Sequence, residues 1–170
     1  MAKLFRGPTR AGLFQTIDLG SGNSQHLIEM ARKNPKRTYF GVDLRYTKDA
    51  LKKLHGPLPK NFKFARTNAI NALKKLRERK IKTRHISMDI PGQLLLDLDK
   101  IFEAAKDVLL PRGKIYLTTE SIMDSWWITP AKNNGFSVRE LPNLKYPKTE
   151  FQMRWKRSQI PIRVFEFTLK

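Results

Sequence analysis

The segment Thr16-Ile17-Asp18-Leu19-Gly20-Ser21-Gly22-Asn23-Ser24-Gln25 constrains the fold more than any other part of the chain. Its front end is β-branched and apolar, as a buried parallel strand should be. Two glycines separated by one residue follow. A helical pattern then begins with His26, Leu27, Ile28, Met30 and Ala31, and Asn34-Pro35 stops it. Strand, glycine turn and helix make a corner on which open α/β sheets hold nucleotides. Gly20 and Gly22 let the backbone pass close beneath a ligand, and glycine accepts the positive φ that such a turn requires. Asp18, at the carboxyl end of the strand, can accept hydrogen bonds from loop amides or from a cationic ligand amine.

About twenty residues on, Thr38-Tyr39-Phe40-Gly41-Val42-Asp43 reads as a second buried strand tipped by a carboxylate. An acid at that spacing can take both ribose hydroxyls of an adenosine. Two ligand classes fit the corner, a dinucleotide or S-adenosylmethionine. A dinucleotide's pyrophosphate calls for a third glycine and a free helix N-terminus, and Gly20-Ser21-Gly22-Asn23-Ser24-Gln25 lacks that glycine. Here the chain resembles the class I S-adenosylmethionine-dependent methyltransferases, whose first motif is similar to Asp18-Leu19-Gly20-Ser21-Gly22-Asn23. The resemblance implies S-adenosyl-L-methionine as cofactor. Asp18, Gly20, Ser21, Gly22 and Asn23 would hold its methionine end, Asp43 and Leu44 its ribose side, and Asn68 and Ala69 its adenine.

The rest of the chain reads as one α/β domain, residues 1–170. Strands are expected at 14–19, 38–43, 62–66, 85–90, 114–119 and 136–140, and across Ile162 to Leu169, whose alternation closes the sheet. Helices are expected at 23–33 and 48–54, from Thr67-Asn68-Ala69 onward, over Leu94 to Leu110 with Pro111-Arg112-Gly113 as its stop, and over Ser121 to Asn134 with an interruption near Thr129-Pro130. Asn68 is placed to cap its helix, a role compatible with facing a ligand. The last two strands are joined without a full helix, so one of them is expected to be antiparallel. The fold class is therefore a Rossmann-like, mostly parallel seven-stranded sheet with one antiparallel strand near the C-terminus and helices on both faces. Trp126 and Trp127 are adjacent and cannot both face one core, which leaves one of them open to stacking.

Charge narrows the partner. Lys and Arg total 34 against 15 Asp and Glu, a formal net charge of +19. Such an excess repels itself in a compact fold, which argues that a polyanion neutralises it in use. RNA is the expected partner. Between Ala50 and Met88 the only acid is Glu78, so the helix carrying Lys74, Lys75, Arg77, Arg79 and Lys80 should present a broad positive surface. A lysine-rich thermophile surface is the competing reading. No apolar run is long enough to span a membrane, and no secretory pattern opens the chain. The absence of Cys and the lack of ligand-spaced His pairs argue against a metal site and fit a cytoplasmic protein. Monomer and homodimer are both open.

The distal half resembles the tRNA (guanine-N7)-methyltransferase family. The stretch Gly113-Lys114-Ile115-Tyr116-Leu117-Thr118-Thr119-Glu120 is followed by a helix ending at Gly135-Phe136, by Thr149-Glu150-Phe151-Gln152 and by a closing apolar strand. The family carries Thr-Asp after its fifth strand and Thr-x-x-Glu before its last. Thr119 with Glu120, and Thr149 with Gln152, stand at those positions, and the resemblance implies that they, with Pro91, contact the substrate; Arg45 after Gly41-Val42-Asp43-Leu44 is also family-like. The family's fourth-strand motif is represented only by Asp89-Ile90-Pro91. Asp89 is the candidate for contacting the acceptor group, with a turn-forming role before Pro91 as the alternative. Arg154, Lys156 and Arg157, with Lys145 and Lys148, are read as phosphate contacts, and Trp155 among them could stack on an unpaired base. The resulting expectation is methylation of an RNA base, tRNA in particular. The rivals are an enzyme of the same fold acting on protein or a small molecule, a degenerate RNA-binding member, and a dinucleotide oxidoreductase.

Overall fold

A computed structural model of the chain describes residues 13–89, 97–119, 125–141 and 163–170. The strands are β1 (Leu13–Leu19), β2 (Tyr39–Asp43), β3 (Phe62–Arg66), β4 (Lys82–Asp89), β5 (Leu109–Thr119), β6 (Phe136–Leu141) and β7 (Arg163–Leu169). The helices are α1 (Gln25–Lys33), α2 (Lys48–His55), α3 (Ala69–Glu78), α4 (Leu98–Lys106) and α5 (Ser125–Asn133). The strands form one seven-stranded sheet in the order β3-β2-β1-β4-β5-β7-β6. β1 pairs parallel with β2 and with β4, β2 with β3, and β4 with β5. β7 runs antiparallel to both β5 and β6.

The sheet is covered on two sides by two apolar clusters. Ala72, Leu73 and Leu76 of α3, Ile101, Phe102 and Ala105 of α4, and Trp127 and Ala131 of α5 pack on one face, against Ile17, Ile86, Ile115 and Phe167. Leu27, Ile28 and Ala31 of α1 and Leu51 of α2 pack on the other, against Tyr39, Phe62 and Phe64. A strand covered on both faces shows a continuous apolar run rather than alternation, which is why Tyr39, Phe40 and Val42 are all buried. Phe102 joins the second half of the sheet to α4, with ring centroids 5.0 Å from Phe167 and 5.4 Å from Phe136.

The interruption expected near Thr129-Pro130 is absent, since α5 runs unbroken from Ser125 to Asn133 with Pro130 inside it. Three further expectations need correction. The long helix ends at Lys106 rather than Leu110, because Val108 N–H closes onto the Ala105 carbonyl and the Val108 carbonyl accepts from Thr83 N–H at 2.8 Å. Leu109 then pairs with Thr83 and opens β5. Pro111-Arg112-Gly113 is therefore an irregularity inside that strand and not a stop. The register jumps there, and Arg112 takes a φ of 59°. Second, β4 begins at Lys82, ahead of His85. Third, β7 does not close the sheet at an edge. It is inserted between β5 and β6, so Val164, Phe165, Glu166 and Phe167 are all buried and the sequence alternation does not report one wet face.

Glu166 shows how a charge is accommodated there. Its carboxylate meets Lys114 Nζ at 2.8 Å and Arg139 at 3.0 Å. Burial pushes the Glu166 carboxyl up, but Lys114, Arg139 and the Tyr116 hydroxyl outweigh it and hold it below the usual range. Burial and the same carboxylate push Tyr116 up to about 12.

Candidate functional site

The parallel strands β1, β2, β3, β4 and β5 all end at one edge of the sheet, where open α/β folds bind ligands. β1 leads there into a turn rich in left-handed positions, with φ of 80° at Gly20, 55° at Gly22 and 53° at Ser24. Gly20 and Ser21 N–H both donate to the Val42 carbonyl, at 2.8 and 2.9 Å. Ser24 precedes α1 without capping it through its side chain. Its hydroxyl instead lies 2.8 Å from that of Ser21, and the Asn23 side chain accepts from Gln25 N–H at 3.1 Å. His55 of α2 donates to the Asn23 carbonyl at 2.9 Å.

Asp43 is the junction of the site. It is 6% exposed. Its Oδ2 accepts from Gly22 N–H at 2.9 Å and its Oδ1 from Arg45 N–H at 2.7 Å. Its carbonyl accepts from Thr67 N–H at 3.2 Å. The glycine turn, the tip of β2 and the entry to α3 are thus joined through one residue. A carboxylate offers about four acceptor positions, so the Oδ2 side keeps a lone pair for a ribose hydroxyl. The Arg45 side chain, with Nε 3.4 Å from Oδ1, holds the weakest of the three donor contacts. Leu44 beside it is 58% exposed, an apolar surface suited to a purine face. Asn68 caps α3 by accepting from Asn71 N–H at 2.8 Å, as its position suggested, and Ala69 opens the helix.

Asp18 is 4% exposed. It accepts from the Ser87 hydroxyl of β4 at 3.0 Å, and His26 Nδ1 of α1 lies 3.9 Å away. Burial pulls the His26 imidazole down to about 4, so the ring is neutral at neutral pH and its contact with Asp18 is then no ion pair. Asp18 ties β1, β4 and α1 together directly under the turn.

Gly41 belongs to the site although the sequence does not single it out. A Cβ there would lie 2.8 Å from Ser24 Oγ and 3.0 Å from Ser21 Oγ, so a glycine in the middle of β2 is what lets the turn settle on the strand. A glycine inside a strand pattern is the available signal. Ser87 and His26 also take part, and in sequence they look like ordinary strand and helix positions.

Of the expected substrate contacts, Thr119 lies at the correct edge, at the end of β5, with its side chain buried. Asp89 ends β4 and pairs in register with Thr118, while its side chain lies outside the described residues. Pro91, Glu120, Thr149, Gln152, Arg154, Lys156 and Arg157 also lie outside them, as do Lys145, Lys148 and Trp155. Trp127 is fully buried against Phe165, and Trp126 at the start of α5 is 46% exposed, the division that adjacency required. No cluster of His, Asp and Glu among the described residues could hold a metal ion, and no helix among them is long and apolar enough to cross a membrane.

A family model described as "Putative methyltransferase" matches residues 14–89, the segment running from the glycine turn to the tip of β4. The chain has the fold of a class I methyltransferase. It is similar to the 16S rRNA methyltransferase KamB, with a TM-score of 0.66 and 17% identity over 92% of this chain and 88% of that one. It is similar also to a 16S rRNA adenine-N1 methyltransferase from Catenulisporales acidiphilia bound to S-adenosylmethionine (TM-score 0.63, 15% identity, 99% and 89% coverage). A precorrin-6y methyltransferase from Geobacter metallireducens is similar at TM-score 0.62 and 16% identity, with 95% and 82% coverage. No curated protein matches the chain.

In a methyltransferase of this fold the residues present fit the cofactor. The Gly20–Ser24 turn offers backbone and no side-chain bulk at Gly20 and Gly22, Asp43 offers a buried acceptor beside it, and Leu44 offers an exposed apolar face.

Proposed function

We propose that this chain is an S-adenosylmethionine-dependent methyltransferase that modifies a base in structured RNA. The observation that carries the reading is the bond from Gly22 N–H to Asp43. It puts a glycine turn able to take an amino-acid moiety and a carboxylate able to take a ribose into one rigid unit. Methyl transfer is an in-line displacement at a sulfonium carbon, which supplies the activated methyl group when the cofactor is bound. The protein's task is to hold the acceptor in line, and an aromatic nitrogen with a free lone pair needs little general base.

RNA is supported by the net charge of +19 and by the named substrates of the two rRNA methyltransferases. Within RNA, a tRNA base of the guanine-N7 kind is the finer expectation, supported by Thr119-Glu120 and Thr149 to Gln152. Asp89 is proposed to contact the acceptor, and Pro91, Arg154, Lys156 and Arg157 to hold the RNA beside it. The protein would work in the cytoplasm, as a monomer or homodimer.

The test is incubation with labelled S-adenosylmethionine and, separately, bulk tRNA and 16S rRNA, followed by mass spectrometry of the nucleosides. A methylated base in tRNA supports the finer reading, and one in 16S rRNA alone moves the substrate while keeping the class. Label entering protein, with none in either RNA, would end the RNA reading.

A further inference from the structure

Strand polarity sorts the charges of this molecule onto one edge. The cofactor corner occupies the carboxyl edge of the parallel strands, so the residues leading into those strands lie at the opposite edge. Lys36 and Arg37 precede β2, Lys60 precedes β3, and Lys80, Lys82 and Arg84 lead into and begin β4. All six are exposed. The acids near that end among the described residues include Glu78, Asp107, which Arg77 engages at 3.3 Å, and Glu166, which Lys114 and Arg139 hold. At the cofactor edge Arg45 lies on Asp43 and Arg66 on the Leu44 carbonyl at 2.8 Å, while Lys48 opens α2 exposed.

The helix macrodipole accounts for basic residues in a last helical turn, such as Lys33, Lys75 and Arg77. It does not account for cations in loops and strand openings. Two of these are held against backbone preference. α3 ends with Ile81 N–H on the Leu76 carbonyl and Lys80 N–H on the Arg77 carbonyl, the paired bonds of a Schellman motif. The left-handed position of that motif usually carries glycine, yet Lys80 occupies it at φ 56°. Arg112, in the irregular start of β5, stands at φ 59°. Three non-glycine residues among those described have positive φ, and two of them are cations on this edge. Strain retained at such positions points to function. The cations also converge. Burial lowers the His85 pKa, and Lys114 of β5, Arg84 of β4 and Arg37 ahead of β2 lower it further, against Glu166, which raises it and is itself paired with Lys114.

We propose that this edge is a second RNA-contacting surface, which grips the phosphate backbone of a folded RNA while the opposite edge holds the target base. The proposal rests on the RNA reading above and adds the size and shape of the substrate. From β3 to β5 the surface spans four strand spacings, about 19 Å. Strands of this length set the two edges roughly 20–25 Å apart. An RNA that reaches both must span that distance, so a stem-loop shorter than it is a poor substrate.

Two variants test it. Lys36→Gln/Lys60→Gln/Arg84→Gln removes three cations, and Lys80→Gly removes one while relieving its backbone. Affinity for bulk tRNA and for 16S rRNA is measured across a potassium chloride series, with S-adenosylmethionine calorimetry alongside. The triple variant is expected to lose about tenfold or more in RNA affinity. Its slope of log affinity against log salt should flatten by about 0.7–0.9 for each phosphate that is no longer neutralised. Lys80→Gly is expected to melt no lower than the parent yet bind RNA about threefold more weakly, a combination that misfolding does not produce. Cofactor affinity stays unchanged in both. If the parent binds RNA and both variants match its affinity and slope, the second surface is wrong and the RNA reading stands. If the parent neither binds nor methylates either RNA, both fall together.

Discussion

Gly22 N–H donates a 2.9 Å hydrogen bond to Asp43 Oδ2. The two residues are separated by a helix and a crossover, and the bond closes the cofactor corner before any ligand arrives. Asp43→Asn puts an amide where a carboxylate serves both the turn and the expected ribose. Hydrogen bonds to a charged group contribute about 1.5–3 kcal/mol, so S-adenosylmethionine affinity should fall roughly 10- to 100-fold by calorimetry. Unchanged affinity would remove Asp43 from the site.

Gly41→Ala probes the same corner from below. Its Cβ would meet Ser24 Oγ at 2.8 Å and Ser21 Oγ at 3.0 Å, and overpacking of this kind costs about 1–3 kcal/mol. Melting temperature and cofactor affinity should fall together. Adding Ser24→Ala removes the nearer obstacle, so the double variant should recover part of both losses. The coupling between the two substitutions is the readout.

His26 gives the fold a pH dependence of known sign. Burial lowers its pKa from 6.5 to about 4, against a small opposing pull from Glu29. Between those values the unfolded chain binds a proton that the folded chain refuses. The stability tied to the neutral imidazole is therefore complete above about pH 6.5 and is lost as pH falls toward 4. The loss is of order 3 kcal/mol. His26→Asn should flatten urea-unfolding stability across that window; an unaltered pH dependence would place its origin elsewhere.

Asn68 can be separated into cap and ligand contact. Asn68→Ala removes the acceptor for Asn71 N–H and should cost about 1 kcal/mol of stability. Asn68→Ser keeps a capping oxygen, so stability should return to within a few tenths of a kcal/mol. Cofactor affinity should nevertheless remain about two- to tenfold reduced, as expected when one hydrogen bond is removed. Full recovery of affinity in the serine variant would make Asn68 a cap alone.

Local patterns carried much of this fold. The glycine turn, the acid-tipped second strand and the β3 segment Phe62 to Arg66 all stand where their residues indicated, because each is specified by neighbours in sequence. Thr47 and Asn68 cap α2 and α3 through side chains that reach only three residues ahead. The strand opening at Leu109 looks helical in sequence because Val108 and Leu109 continue the apolar spacing of α4. Only pairing with Thr83, across the chain, assigns Leu109 to the sheet. The alternation from Val164 to Phe167 suggests a strand with one wet face, but insertion between two neighbours buries it entirely.

The sequence by itself determined that a glycine corner and a carboxylate would meet at the end of a parallel sheet, and that the surface would be strongly basic. Both follow from residue type and short-range spacing. Tertiary structure decided that Gly41 must be bare beneath Ser21 and Ser24. It also decided that Asp18 is bound to Ser87 from a strand 69 residues away, and that Lys36, Arg37, Lys60, Lys80, Lys82 and Arg84 share the edge opposite the cofactor corner. Those facts depend on which strands lie side by side and which way they run, and no local pattern of residues encodes that.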